Sequence, residues 1–208
     1  LWIQWSWKWT QSKRILEHYW KDFLYFDAWK ILRALKSNDN ALWDYLRDIV
    51  ESWKLLDDGF VTSFFDSFLF VVEKDQYMLI DWFPRQIGQM FLMIERLKKA
   101  KREYKVLFLD LSEEEAIKRL SSRLICENCW TVYSTLMDDG IQACKKCWWN
   151  LVRRKDDNPD AIKERLSQYY KLTLPVVDYF EEKGLLVRID ASWTQEEVFE
   201  KVKAEIEN

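Results

Sequence analysis

The chain has 208 residues, 49% of them hydrophobic and 32% charged, with 32 basic residues against 35 acidic ones and a formal net charge of −3. That length suits one domain with a sizeable core and small inserted lobes. The charge balance argues against a broad nucleic-acid surface, and the longest apolar run, around Phe68 to Val72, is far short of the roughly 20 residues of a membrane span. No signal peptide is visible, so a cytoplasmic protein is expected.

In chain order, residues 10–19 read as a helix and Phe23 to Phe26 as a short strand. Helical patterns follow over 29–36, 41–53 and 60–73, then a buried strand from Tyr77 to Ile80 ends in Asp81. A helix over 86–100 leads to the strand Lys105 to Leu111, and another helix covers 113–122. The turn-rich segment 124–152 interrupts this pattern and holds all four cysteines. One long helix over 159–182, a strand from Leu185 to Ile189 and a helix over 194–206 complete the order. Strands separated by helices imply right-handed crossovers, hence an α/β fold with a parallel sheet and helices on both faces. Such sheets bind ligands at the carboxyl ends of their strands.

Cys126 and Cys129, then Cys144 and Cys147, follow the pattern C-x2-C-x14-C-x2-C. This spacing lets two thiolate pairs complete a tetrahedral Zn²⁺ site, and the ion would supply folding energy that so small a ribbon lacks. Two disulfides or free thiols are the other possibility, though nothing in the sequence points to an oxidising compartment. A closed four-thiolate site is structural, so chemistry is expected elsewhere.

The first residues, LWIQWSWKWTQSKR, can be read in two ways. Trp5, Trp7 and Trp9 alternate with polar residues, as on a half-buried strand. Lys8 and Thr10 also stand where a phosphate-binding loop places its lysine and hydroxyl, in a frame that otherwise calls for glycine. Composition favours the second reading. A chain of this length ordinarily holds roughly 15 glycines. Here there are 4 Gly and 13 Trp, 17 together. With glycine at the tryptophans the stretch contains G-x-x-x-x-G-K followed by Gly-Thr, whose N–H groups can converge on phosphate oxygens ahead of a helix N-terminus.

With those glycines restored, the chain resembles adenylate kinase over essentially its whole length. The loop over 2–11 matches apart from Gln4, where the family usually has proline. Asp81-Trp82-Phe83-Pro84-Arg85 is similar to the family's Asp-Gly-Phe-Pro-Arg, and Gln89 stands at its AMP-base position. Trp29 and Arg33 resemble the opening of the AMP lobe, and Trp53-Lys54-Leu55-Leu56 resembles its Gly-Lys-Leu-Val. Arg119, Arg123, Val132 and Tyr133 match the ATP side of the lid, and Arg154-Lys155-Asp156-Asp157 with Arg165 matches the lid's return. The four-cysteine insert is similar to the zinc-bearing lid of many bacterial members. Departures are Ala28 for a threonine, Lys30 for an aspartate and Leu124 for a second arginine.

The resemblance implies the P-loop nucleoside-monophosphate kinase fold, with a single core over 1–208, an AMP lobe over 27–56 and a zinc lid over 123–157. Because Leu1 stands directly against the first motif, a missing N-terminal strand is expected. It implies transfer of the γ-phosphoryl of MgATP to AMP by a monomer with no nucleic-acid or membrane partner. Lys8, Arg33, Arg85, Arg119, Arg123, Arg154, Arg165 and Asp81 would be catalytic. ATP would meet Trp5, Ser6, Trp7, Lys8, Trp9, Thr10, Arg119, Arg123, Val132, Tyr133 and Gln195. AMP would meet Ala28, Arg33, Lys54, Leu55, Leu56, Trp82, Phe83, Pro84, Arg85, Gln89, Arg154 and Arg165. Thr10 and Asp81 would help to order Mg²⁺, and Asp156 and Asp157 would pair with basic residues around the closed lid. His18 is expected on the exposed side of the first helix, with no role.

Every tryptophan falls where the family has or accepts glycine, and none is expected at an ordinary core position. UGA codons that the native host reads as glycine and that are written here as tryptophan would explain this. A zinc-stabilised binding module with a dead nucleotide site, using exposed indoles to stack bases, is the alternative.

Overall fold

The computed structural model describes residues 7–19, 22–36, 40–51, 55–154 and 157–208, and the side chain of Arg33 lies outside the described set. Its elements are α1 (Lys8–His18), β1 (Phe23–Asp27), α2 (Ala28–Lys36), α3 (Ala41–Glu51), α4 (Asp58–Val71), β2 (Tyr77–Asp81) and α5 (Ile87–Lys99). Then come β3 (Val106–Asp110), α6 (Glu113–Ser121), β4 (Arg123–Cys126), β5 (Val132–Ser134), β6 (Leu151–Val152) and α7 (Pro159–Gln168). A π turn over Tyr169–Thr173 joins α7 to α8 (Leu174–Glu182), followed by β7 (Leu186–Asp190) and α9 (Gln195–Glu207).

Local chemistry sets several helix starts. The Asp57 side chain accepts from the Phe60 amide at α4, Ser112 from Glu115 at α6, and Asn158 from Ala161 at α7, which has Pro159 in its first turn. Thr194 and Glu197 form a reciprocal capping box on α9. Each satisfies amide protons that a helix start leaves without intrahelical acceptors.

β1 pairs in parallel with β2, from Phe23 opposite Tyr77 to Asp27 opposite Asp81. β3 pairs in parallel with β7, ending at Asp110 opposite Asp190. Parallel strands put both partners' carboxyl ends at one edge, so each pair ends in two aspartates. Side chains of β2 alternate between two cores: Met78 and Ile80 pack with α4, α5 and α8, while Leu79 packs with α1, α6 and α9. That alternation is the physical signature of helices on both sheet faces. No described helix is long and apolar enough to cross a membrane.

The insert is more ordered than a turn-rich segment suggests, because β4 pairs antiparallel with both β5 and β6. Four expectations need correction. α1 begins at Lys8 rather than at residue 10, with Trp7 as its N-cap, which agrees with the favoured reading of this stretch over the strand alternative. α4 begins at Asp58, drawn forward by its Asp57 cap. The long C-terminal helix is not uniform but widens into the π turn. Trp43 is a core residue, 6% exposed and packed with Leu46 and Val61.

Candidate functional site

Lys8 opens α1, and its ammonium lies 2.8 Å from Asp81 Oδ1 at the end of β2. Burial pulls its pKa down to about 8, the Asp81 charge opposing that shift. The Tyr25 hydroxyl, from β1, lies 2.9 Å from the other Asp81 oxygen and 3.3 Å from Asp27 Oδ2. Burial, then the two carboxylates, push the Tyr25 pKa well up, so the phenol stays a donor. Two facing, buried carboxylates are thus held by one cation and one shared hydroxyl.

Arg85 lies in the loop after β2, and its amide donates to Gln89 Oε1 at 2.8 Å. Gln89 is buried at the start of α5, its Nε2 3.4 Å from the Leu56 carbonyl. The Arg85 guanidinium is drawn down to about 10 by burial and then by the charge of Arg165, with Asp81 opposing. A like charge that disfavours the buried guanidinium is one that a shared anion would offset, although Arg165 also lies 3.4 Å from Asp157.

Aromatic rings lie against these cations. The Trp82 ring centroid is 4.0 Å from Lys8 Nζ and 5.0 Å from the Arg85 guanidinium, and it stacks on Trp29 at 5.9 Å. Trp7 covers the Arg119 guanidinium at 4.5 Å. Arg119 is buried and donates to Glu115 at 2.9 Å and to the carbonyls of Ala191 and Ser192 at 2.9 and 3.1 Å. A cavity of about 300 Å³ opens beside it, between Trp7, Leu136, Met137 and Trp193. At the foot of the insert, Arg123 and Asp157 form a bidentate pair, and Arg165 joins at 3.4 Å.

The four cysteine sulfurs lie within 4.8 Å of one another, and none is in a disulfide. Cys126 and Cys147 Sγ are 3.4 Å apart, and Cys129 and Cys144 Sγ 3.5 Å. A disulfide needs about 2.05 Å. Sulfurs around a tetrahedral Zn²⁺ at about 2.3 Å are roughly 3.8 Å apart. Amides of Cys129 and Lys146 point at Cys126 and Cys144 Sγ, as suits thiolate acceptors. The donor set therefore fits a structural zinc.

The adenylate kinase family model matches residues 5–185. The chain belongs to the adenylate kinase family. It is 33% identical to the adenylate kinase of Chlamydia abortus over 199 residues, covering 96% of this chain and 92% of the relative. The adenylate kinase of Chlamydia trachomatis is 33% identical over 210 residues (95% and 84%), and that of Chlamydia felis 32% over 203 (98% and 93%). The dead binding module gains no support from these relatives.

Of the residues that the resemblance to adenylate kinases singled out, Lys8, Asp81, Trp82, Arg85 and Gln89 converge at the carboxyl ends of β1 and β2. Ala28, Leu56, Phe83 and Pro84 are buried around them, Leu55 is half-buried, and Trp9 and Thr10 lie in the first turn of α1. Arg119 lies in α6, Arg123 begins β4, the half-buried Arg154 follows β6, and Arg165 lies in α7. Gln195 begins α9, where its carbonyl accepts from Gln11 at 3.0 Å. Val132 is half-buried on β5, but the Tyr133 hydroxyl turns inward to the cysteine cluster, 3.3 Å from Cys144 Sγ. Trp5, Ser6, Lys54 and Asp156 lie outside the described residues, as do Trp20 and Trp53. His18 is exposed, its ring edge-on to Tyr19 at 4.7 Å. Sequence reasoning missed Tyr25 and Asp27, although the facing strand ends could have placed Asp27 beside Asp81.

Proposed function

We propose that this chain transfers the γ-phosphoryl of MgATP to AMP, giving two ADP. The observation that carries this reading is the convergence of Lys8, Asp81 and Arg85 beside the N-terminus of α1. Phosphoryl transfer needs alignment and charge neutralisation more than a covalent nucleophile. Lys8 and the loop amides would hold the β- and γ-phosphates. Arg33 and Arg85 would clamp the AMP phosphate, and Gln89 would read its base. Arg119, Arg123, Arg154 and Arg165 would stabilise the transferring group as the lid, 123–157, and the AMP lobe, 27–56, exclude water. Magnesium bound with ATP supplies bridging positive charge, and Thr10 and Asp81 would hold its water shell; the buried Asp81 carboxylate already faces a cation. Cys126, Cys129, Cys144 and Cys147 would bind one structural zinc.

The tryptophans are glycines in this reading. Support comes from the backbone: Trp7, Trp82, Trp130 and Trp148 all have φ between 58° and 63°, a region that glycine occupies without strain. The Trp82 ring also takes the space between two phosphate-binding cations. Among the other described tryptophans, Trp9, Trp29, Trp43, Trp149 and Trp193 do not have positive φ, and Trp43 is buried. An intact mass of protein from the native host lower by thirteen Trp-to-Gly differences fits recoding, and the mass of the chain as written ends it. A coupled assay on the glycine version should show ADP formation from ATP and AMP; no turnover there overturns the kinase reading.

A further inference from the structure

The π turn between α7 and α8 has a local cause and a distant consequence. Pro175 sits in the first turn of α8, has no N–H, and in a regular helix its ring would press on the carbonyl four residues back, Lys171. The chain answers by widening: the Leu174 amide bonds to the Tyr169 carbonyl, five residues back. In an ordinary helix the Thr173 hydroxyl could bond back to that same Tyr169 carbonyl. Here it points out of the helix and donates to the Arg85 carbonyl at 2.9 Å, a bond spanning 88 residues of sequence. Thr173 is 4% exposed, so the bond forms away from water.

Arg85 is therefore held at both backbone groups, its amide by Gln89 and its carbonyl by Thr173. Residues 165, 169 and 173 follow one another at four-residue spacing, a row that drifts about 40° per step on a regular α-helix. The widened turn lies between Arg165, whose charge lowers the Arg85 pKa, and Thr173, which holds the Arg85 backbone. π turns of this kind often mark functional sites.

We propose that Thr173 is a positioning residue for the anion clamp: through the Arg85 carbonyl it fixes where that guanidinium stands relative to Arg165. This rests on the kinase reading for its role in catalysis, though not for the backbone restraint itself. The test compares Thr173→Val, isosteric but unable to donate, with Thr173→Ser, which keeps the hydroxyl. In ligand-free protein, hydrogen exchange of the Arg85 and Gln86 amides should quicken roughly 3- to 10-fold in the Val variant, the range set by one lost hydrogen bond, and return in Ser. In the glycine version, KM for AMP should rise by a similar factor in Val, with kcat and KM for ATP within about twofold, and Ser should rescue it. Unchanged exchange overturns the proposal whether or not the protein turns over. So does an active Val variant whose KM for AMP does not move, or whose two KM values rise together. Altered exchange in a parent protein that shows no turnover would sink the kinase reading and leave the restraint standing.

Discussion

Trp148 offers a direct test of the backbone argument. It is 82% exposed with φ 61°, and its amide closes the second Cys-x-x-Cys turn by donating to the Cys144 carbonyl at 2.8 Å. With the ring in water, removing it loses little burial, so the Cβ dominates. A Cβ in the left-handed region costs about 1–2 kcal/mol. Trp148→Ala keeps the Cβ and should stay within about 0.5 kcal/mol of the parent, as exposed substitutions do. Trp148→Gly removes it and should exceed both by about 1–2 kcal/mol, or roughly 2–8 °C if the whole chain unfolds in one step. Urea midpoints, followed by circular dichroism, and zinc retention against a chelator would both report this order. Trp193 is the control: 48% exposed, φ not positive, its indole N–H on Asp190 at 2.7 Å and Lys201 4.0 Å from its ring. There glycine should fall below alanine, because glycine loses about 0.5–1 kcal/mol more in chain entropy. Glycine below alanine at Trp148 as well would refute the reasoning.

Trp82→Gly should restore AMP binding by calorimetry at little cost in stability, since relief of strain offsets the lost contacts with Lys8, Arg85 and Trp29; an unchanged absence of binding would count against the indole as the obstacle. Metal analysis should find one zinc per chain, lost in Cys144→Ser together with thermal stability of the cysteine-bearing insert; no zinc in the parent would remove the four-thiolate site. Because Lys8 is held near 8 in the folded chain against 10.5 unfolded, the unfolded state binds more protons between those values, so stability should rise with pH across that window. The slope is at most about 1.4 kcal/mol per pH unit, and Lys8→Met should flatten it in urea titrations. Tyr25→Phe removes the hydroxyl shared by Asp27 and Asp81, and should destabilise the ligand-free chain by about 1–3 kcal/mol; an unchanged urea midpoint would show that the carboxylates do not need it.

What the sequence reveals depends on how local the cause is. The C-x2-C spacing puts two thiols on each tight turn, and the sulfurs do cluster. Asp81 was readable because a buried strand ending in a carboxylate places it at the sheet's binding edge. Asp57, Ser112, Asn158 and Thr194 cap helix starts in the structure, a local signal that the periodic reading did not use, and so it missed the first turn of α4. The π turn was not legible, because residues 159–182 keep helical spacing and Pro175 alone does not say whether a helix kinks, stops or widens. The partner of Thr173 lies 88 residues away, and no local pattern records it. Trp43 misled for the opposite reason: glycine would suit its position by family pattern, yet the indole is buried in the core shared with Leu46 and Val61.

The site's cations show which effect decides whether a nucleotide can enter. Cation–π contact with Trp82 contributes about 0.5–2 kcal/mol for a cation. Each hydrogen bond to a charged phosphate group contributes about 1.5–3 kcal/mol, and several would form at once. On energy alone, phosphate displaces the ring from Lys8 and Arg85. Volume works the other way: with φ 61° and a stacked neighbour in Trp29, the Trp82 ring has few alternative places to go. The Arg123–Asp157–Arg165 cluster carries no such obstruction, and its arginines can exchange one anion for another without moving a ring. The Trp82 indole therefore stands between Lys8 and Arg85, in the space that an anion held by both would need. A glycine at residue 82 would remove the ring that now stands against both Lys8 and Arg85, and would leave those two cations open to a shared anion.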